Sequence, residues 1–144
     1  MTMGEIESRL PAGFHDAELL NLSIDYSRAE AKIEFSLWTP SEEETEHYSA
    51  ASLSLEGLQY LIIEPPLPNG GYKTDGEQYQ SSVDGYVAAE HPSSVAVNLP
   101  DTHEGKFSHS LFVFGWNASI HIAAASARLE PATLLEGESR ADAV

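Results

Sequence analysis

The chain has 144 residues, of which 42% are hydrophobic and 9% aromatic, so it is long and apolar enough to fold around a core of its own. Its 23 acidic residues outnumber 7 Lys and Arg and give a net charge of -16, which argues against nucleic acid and anionic membranes as partners. It contains no cysteine, which excludes disulfides, Cys-ligated metals and thiol nucleophiles.

The beginning of the chain predicts a polar tail. Residues 1–10 carry several charges and no apolar leader segment, and no stretch of the sequence approaches about 18 uninterrupted apolar residues. We therefore expect a cytoplasmic protein with one domain over residues 1–144. Its ordered core should run from Phe14 to Glu130, with polar tails at both ends.

Alternation of apolar and polar residues predicts strands in the first half. Residues 20–26 place Leu20, Leu22, Ile24 and Tyr26 on one face, and residues 31–38 continue the same period of two, so the two segments predict a hairpin. An acidic run at 41–46 predicts a solvated loop. A further strand is expected at 48–55. Residues 58–63 are almost wholly apolar and indicate either a central strand covered on both faces or a buried helical turn.

A cluster of Pro and Gly at 65–71 opens the longest predicted loop. Beyond it, strands are expected at 82–90, 95–99, 107–114 and 118–123. The last two predict a second hairpin, and residues 123–129 favour either a continued strand or one helical turn. The sequence thus predicts a mainly β fold, with a β-rich α+β fold as the alternative. The architecture would be a bent antiparallel sheet, a two-layer sandwich or a partly open barrel, with at most one short helix.

The pair His15 and Asp16 is the first candidate site. A histidine oriented by a carboxylate can act as a general base or bind a metal ion. Alternatively, Asp16 caps a helical turn that begins at Ala17, and His15 bonds to the loop backbone. We favour this structural interpretation, because adjacent residues of an extended chain point in opposite directions.

Histidines of the second half offer a candidate metal site. If the last two predicted strands pair, a carboxylate and histidine set becomes geometrically feasible, made of His103, Glu104, His109 and His121. Alternation places His109 on the apolar face of its strand and His121 on a polar face. No H-E-x-x-H or G-x-S-x-G pattern occurs, so we expect no catalytic residues, no metal and no cofactor, and keep the four-residue set as the alternative.

Three aromatic residues are not easily explained by burial: Tyr72 and Tyr79 on the long loop, and Trp116 at the turn of the second hairpin. Exposed aromatic rings among acidic residues are typical of a protein–protein hot spot for a basic partner. The predicted binding residues are therefore His15, Asp16, Tyr72, Tyr79 and Trp116.

The segment LPAGFHDAEL at 10–19, followed at once by a strand, resembles small bacterial domains of unknown function that begin with a Phe-His-Asp-Ala motif. Some acidic domains of this general size and make-up are similar to immunity proteins, which neutralise toxins encoded beside them. The resemblance implies a structural role for Phe14, His15 and Asp16, and no catalytic role.

These observations predict an acidic interaction domain that binds a basic protein, in the manner of an immunity-type inhibitor. The alternative is a metal- or sugar-binding module or a hydrolase that uses His15 and Asp16 or the region from His103 to His121. A homo-oligomer whose aromatic loops meet is a third hypothesis.

Overall fold

A computed structural model describes residues 1–38, 48–66, 82–86 and 98–135. These residues form one α-helix, α1 (Met3–Arg9), and eight strands. The strands are β1 (Ala17–Asp25), β2 (Glu30–Trp38), β3 (Tyr48–Glu56), β4 (Tyr60–Ile63), β5 (Ser82–Tyr86), β6 (Phe107–Val113), β7 (Ala118–Ala124) and β8 (Ser126–Glu130). Among the described residues, no helix is long and apolar enough to cross a membrane.

The strands make a single antiparallel sheet in the order β4-β7-β6-β5-β1-β2-β3-β8. The two strands at the ends of this order are β4 and β8. Strand β4 follows β3 directly through Gly57, and β8 follows β7 directly through Ala125, so β3–β4 and β7–β8 are two long bent segments that pair with each other and bring the two ends of the sheet together. Ala125 N donates to Glu56 O at 2.9 Å, and Gln59 N donates to Ala123 O at 2.7 Å, so pairing continues across both junctions. The sheet is therefore bent round into a partly open barrel, and the predicted mainly β fold is confirmed.

Gly57 allows the bend at this junction. Its φ of +62° lies in the left-handed region, and a Cβ there would lie only 2.6 Å from the Cβ of Ala125. A larger residue would therefore push apart the two strands that turn together here.

The inward side chains of the strands form the core. Phe14 lies at its centre and stacks on Phe35 with ring centroids 5.5 Å apart. The largest side chains that are fully buried include Phe14, Phe35, Ile33, Leu37, Leu53, Leu55, Leu111, Ile122 and Leu129. The two predicted hairpins are present as β1–β2 and β6–β7.

The N-terminal segment differs from the predicted polar tail. Thr2 caps α1 with a capping box, in which its hydroxyl accepts from Glu5 N at 3.0 Å. Met3, Ile6 and Leu10 are buried in the core. Their spacing of three and four residues places them on one face of a helix, and this apolar stripe was hidden among the charged residues. The core thus begins at Met3 and not at Phe14.

Strand β1 contains a bulge that the alternating pattern concealed. The register shifts between Leu19 and Asn21, so Leu19 faces the core opposite Phe35, while Leu20 points outward. Leu20 is 56% exposed for this reason. The prediction that Leu20 shares a face with Leu22 and Ile24 was wrong.

Three other segments refine the sequence predictions. Strand β4 is a strand, but it lies at an end of the sheet rather than at its centre. The segment after β7 continues as strand β8 and not as a helical turn. Of the strand expected at 95–99, only Asn98 and Leu99 are described, and neither lies in a strand. The acidic run at 41–46 lies outside the described residues.

Candidate functional site

The three residues of the Phe-His-Asp motif do not lie together: the first is in the core and the other two are at the surface. Phe14 is fully buried, whereas the His15 and Asp16 side chains are 65% and 61% exposed. Asp16 has a φ of +59°, so the chain is not extended here, and its carboxylate reaches His15 Nε2 at 3.4 Å. The expectation that neighbouring side chains point apart was therefore wrong, as was the predicted helical turn, because Ala17 begins β1.

The other ring nitrogen of His15 faces β5. His15 Nδ1 lies 3.8 Å from Asp84 Oδ2, so the imidazole lies between two carboxylates that approach it from opposite sides. Asp84 Oδ1 accepts from Gly85 N at 3.0 Å, which fixes the position of that carboxylate. Because the acceptors flank the ring and do not converge on one point, the arrangement orients a histidine but does not enclose an ion.

Beside this histidine, a second pair ties α1 to the barrel. Glu7 Oε2 lies 2.8 Å from His109 Nε2, whose side chain is buried. Gly85 leaves the space for the pair, since a Cβ there would meet the Glu7 carboxylate and lie 3.0 Å from His109 Nε2. Phe14 packs edge-on against the His109 ring at 6.4 Å. His109 is thus a buried histidine with a hydrogen-bonding partner, which agrees with its position on the apolar face of its strand.

The candidate metal residues are not brought together. His109 pairs with Ile122, and His121 pairs with Ser110, so the two imidazoles lie on opposite faces of the sheet. His103 and Glu104 are exposed on the turn that precedes β6. Among the residues that the structure describes, no group of three or more His, Asp and Glu side chains has the arrangement of a metal site.

A polar cluster on β6 and β7 was not expected from the sequence. Ser110 Oγ is hydrogen-bonded to His121 Nδ1 at 2.7 Å, and His121 Nε2 lies 3.7 Å from Glu64 Oε1. Glu64 Oε1 also accepts from Ser119 N at 2.6 Å. Only β-sheet pairing shows that Ser110 and His121 are neighbours, because eleven positions separate them in the chain.

The cluster has the residue types of a hydrolytic triad but not its exposure. Ser110 and His121 are both 0% exposed. A nucleophilic hydroxyl must reach the carbonyl that it attacks, so a serine without accessible surface does not support hydrolysis. The network instead satisfies polar groups within a sheet whose strand β7 is buried on both faces.

The predicted aromatic binding residues have different positions. Trp116 lies in a short 3₁₀ turn, Phe114–Trp116, where it is half-buried and packs against the core. That turn folds the ring back onto the barrel, so Trp116 is explained by packing. Tyr72 and Tyr79 lie outside the described residues.

Exposed apolar residues are concentrated on β1 and at the end of β4. Tyr26, in the turn after β1, is 88% exposed, Leu20 56%, Ile63 46%, Tyr48 on β3 40% and Ile24 37%. Glu18 and Asp25, both exposed, flank the apolar residues of β1. We call Glu18, Leu20, Ile24, Asp25 and Tyr26 the β1 surface. Leu20 and Ile24 share one strand but not one face, because of the bulge, and together with the flanking carboxylates they combine exposed apolar area with negative charge, as protein-binding surfaces do.

A groove of about 290 Å³ separates the end of β1 from β4. Its lining includes Ile24, Tyr26, Leu58, Tyr60 and Leu61. Partial burial raises the pKa of the Tyr60 phenol, and a hydrogen bond with Thr102 acts in the opposite direction. The groove is an apolar cleft between the end of β1 and β4.

Comparison with known proteins gives no relative from which a function could be transferred. The chain matches no protein-family model, and neither a curated protein nor a solved structure is significantly similar to it. The function must therefore be argued from the β1 surface, the groove and the charge of the chain.

Proposed function

We propose that this protein is an interaction domain that binds a basic protein through the β1 surface, as a cytoplasmic inhibitor of the immunity type. The observation that carries the proposal is the exposure of Leu20 and Ile24 on β1 and of Tyr26 in the turn that follows it, in a chain with a net charge of -16. Binding, and not chemistry, is the activity that such a surface supports.

The apolar residues of the β1 surface supply contact energy. Transfer of apolar area from water stabilises a complex by roughly 25 cal/mol per Å², and large side chains at the centre of an interface contribute most. Tyr26 projects from the β1–β2 turn and is well placed as an anchor, because a tyrosine combines a large ring with a polar hydroxyl.

The acidic residues select the partner. A strongly negative protein attracts a basic one over long distances and repels acidic proteins and nucleic acids. Glu18 and Asp25 bring this charge to β1 itself. A toxin with a basic, nucleic-acid-binding or membrane-binding surface has the complementary chemistry.

The test is calorimetry of the protein against the products of neighbouring genes, with a charge-matched pair of variants. Glu18→Lys changes the β1 surface, while Glu104→Lys makes the same charge change on the exposed turn before β6, which β5 separates from β1 in the sheet order. We expect Glu18→Lys to weaken binding by about tenfold or more and Glu104→Lys to weaken it only by the long-range charge effect.

The apolar contribution is tested in the same way. Tyr26→Ser should weaken binding strongly, whereas Tyr48→Ser, at another exposed tyrosine, should change it little. If no neighbouring gene product binds, or if the variants of each pair weaken binding equally, the proposed function is wrong.

A further inference from the structure

We infer that the outer face of β1, β2, β3 and β8 selects among basic partners: it binds a helix that carries a carboxylate between two basic side chains, and Lys32 recognises that carboxylate. The inference rests on the proposed function and adds to it the charge pattern of the partner. The face adjoins the β1 surface, because Asp25 belongs to both.

The charges of this face form rows that run across the strands. Strand pairing places Lys32 between Ser23 and Ser54, and Ser54 beside Arg128, so one row contains two of the seven basic residues of the chain. Lys32 and Arg128 point away from the core, since the residues before and after each of them in its strand are buried. The two cations therefore lie on the same outer face.

A row of carboxylates lies on either side of this basic row. Asp25 pairs with Glu30 across β1 and β2, and Glu56 continues that row on β3. On the other side, Glu34 on β2 and Glu130 on β8 pair with the same residue of β3. Consecutive rows are two residues apart along each strand, which is about 6.8 Å. We call this surface, with its acidic, basic and acidic rows, the striped face.

Among the described residues, Lys32 is the unpaired cation of the striped face. Arg128 lies 3.8 Å from a carboxylate oxygen of Glu56 and 3.4 Å from one of Glu130, so its guanidinium bridges the two acidic rows. Within the described part of the chain, the exposed ammonium of Lys32 has neither a hydrogen bond nor an ion pair. A free cation between two acidic rows repels a purely basic surface and attracts a carboxylate, so it distinguishes one basic partner from another.

The shape of the striped face suits a helix. A trough of about 300 Å³ lies over the basic row and is lined by Lys32, Arg128 and the short side chains of Ser23 and Ser54, which leaves room for side chains of a partner. Along an α-helix, every fourth residue recurs on one face at intervals of about 6.0 Å, close to the spacing of the rows. A helix that lies along the strands can therefore present Lys, Glu and Lys to the acidic, basic and acidic rows in turn.

The probes are two peptides that differ at one position, each held helical by a staple on its far face. One presents Lys, Glu and Lys at every fourth residue, and the other has Gln in place of Glu. Attraction to the net charge of -16 alone would favour the Gln peptide, which is more positive by one charge. We expect the reverse order: in calorimetry at low ionic strength, the Glu peptide should bind about threefold more tightly, as one exposed ion pair allows.

Two variants with the same charge change locate the effect. Lys32→Gln removes the cation that recognises the carboxylate, so the Gln peptide should then bind more tightly than the Glu peptide. Arg28→Gln removes an exposed cation from the β1–β2 turn, outside the striped face, and should keep the original order. Lys32→Arg keeps the charge and should also keep that order. A preference of the parent for the Gln peptide, or an equal change of the binding ratio in Lys32→Gln and Arg28→Gln, would overturn the inference.

The peptides separate this inference from the proposed function, because they need no natural partner. If a neighbouring gene product binds but the parent prefers the Gln peptide, the proposed function stands and the recognition of a carboxylate by Lys32 is wrong. If the peptide order is as expected and reverses in Lys32→Gln, but no neighbouring gene product binds, the striped face recognises this charge pattern and only the proposed function is wrong.

Discussion

At the scale of single residues, two of the four histidines that the structure describes have structural roles. Buried His109 is paired with Glu7, and buried His121 is bonded to Ser110. Such groups are costly when one partner is removed, because the other stays desolvated and unsatisfied. His15, in contrast, is held at the surface between two aspartates, where solvent reduces the energy of each pair.

Removal of the Glu7 carboxylate should destabilise the protein. Glu7→Ala leaves buried His109 without this partner and is expected to lower the free energy of unfolding by about 1–3 kcal/mol. Glu7→Gln keeps a hydrogen-bonding group and should lose less. Urea unfolding measures both, with Glu104→Ala, at an exposed turn, as the control expected within about 0.5 kcal/mol of the parent. If Glu7→Ala is as stable as the parent, the contact between Glu7 and His109 does not stabilise the fold.

Tyr60 should ionise late in an alkaline titration. Burial raises the pKa of its phenol, so the neutral form is favoured in the folded state. The stability that the neutral Tyr60 phenol gives to the folded state is complete below the ordinary tyrosine pKa of 10.0. It is lost as the pH rises through the higher pKa of the folded state.

Ultraviolet absorbance of tyrosinate measures this titration. We expect Tyr60→Phe to remove an alkaline component from the curve and to reduce the loss of stability at high pH. Tyr26→Phe, at an exposed ring, serves as the comparison. If Tyr60→Phe instead removes a component that titrates at or below the pH of the exposed tyrosines, the Tyr60 pKa is not raised by burial.

At the scale of elements, α1 shows how a short helix depends on packing. Seven residues are too few for a stable isolated helix, so its capping box and its buried face must hold it in place. Met3 and Ile6 supply that face. The helix thereby covers part of the core that the barrel alone would leave open.

Two substitutions in α1 should act in opposite directions. Ile6→Ala removes a fully buried side chain and should cost about 2–5 kcal/mol of stability. Gly4→Ala, at an exposed position where a Cβ would make an ordinary contact of 3.8 Å with Thr2 Oγ1, should add up to about 1 kcal/mol by favouring the helix. Thermal and urea unfolding check both changes. A frayed tail would make both substitutions neutral.

At the scale of the whole molecule, charge is the dominant feature. A net charge of -16 on a small domain repels itself, and folding concentrates that charge. A charge of this sign repels other acidic proteins and attracts basic ones. The partly open barrel therefore carries an electrostatic cost that the core and the strand pairing must exceed.

Added salt should reduce this electrostatic repulsion within the folded protein. As the ionic strength rises to about 1 M, where the Debye length falls to about 3 Å, we expect the midpoint of thermal unfolding to increase. Sodium and potassium chloride should act alike. Low concentrations of zinc or manganese, added at constant ionic strength, should give no further increase. A drop in the midpoint with salt would show that attractive ion pairs dominate, and a large response to one metal would revive the metal-site alternative.

Much of the fold is predictable from the sequence, because a half-buried strand repeats its apolar residues with a period of two. Strands β1, β2, β3, β6 and β7 were found in this way. The same rule failed where geometry departs from the period: the bulge at Leu20 reversed one side chain, and the apolar stripe of α1 was too short to stand out.

The sequence by itself determined the mainly β character, the two hairpins and the acidic charge, since local periodicity and composition depend only on neighbouring residues. The tertiary structure decided the closing of the sheet and the pairs Glu7–His109 and Ser110–His121. These features depend on strand order and on which face each side chain meets. Both arise from contacts between residues far apart in the chain, which no local pattern specifies.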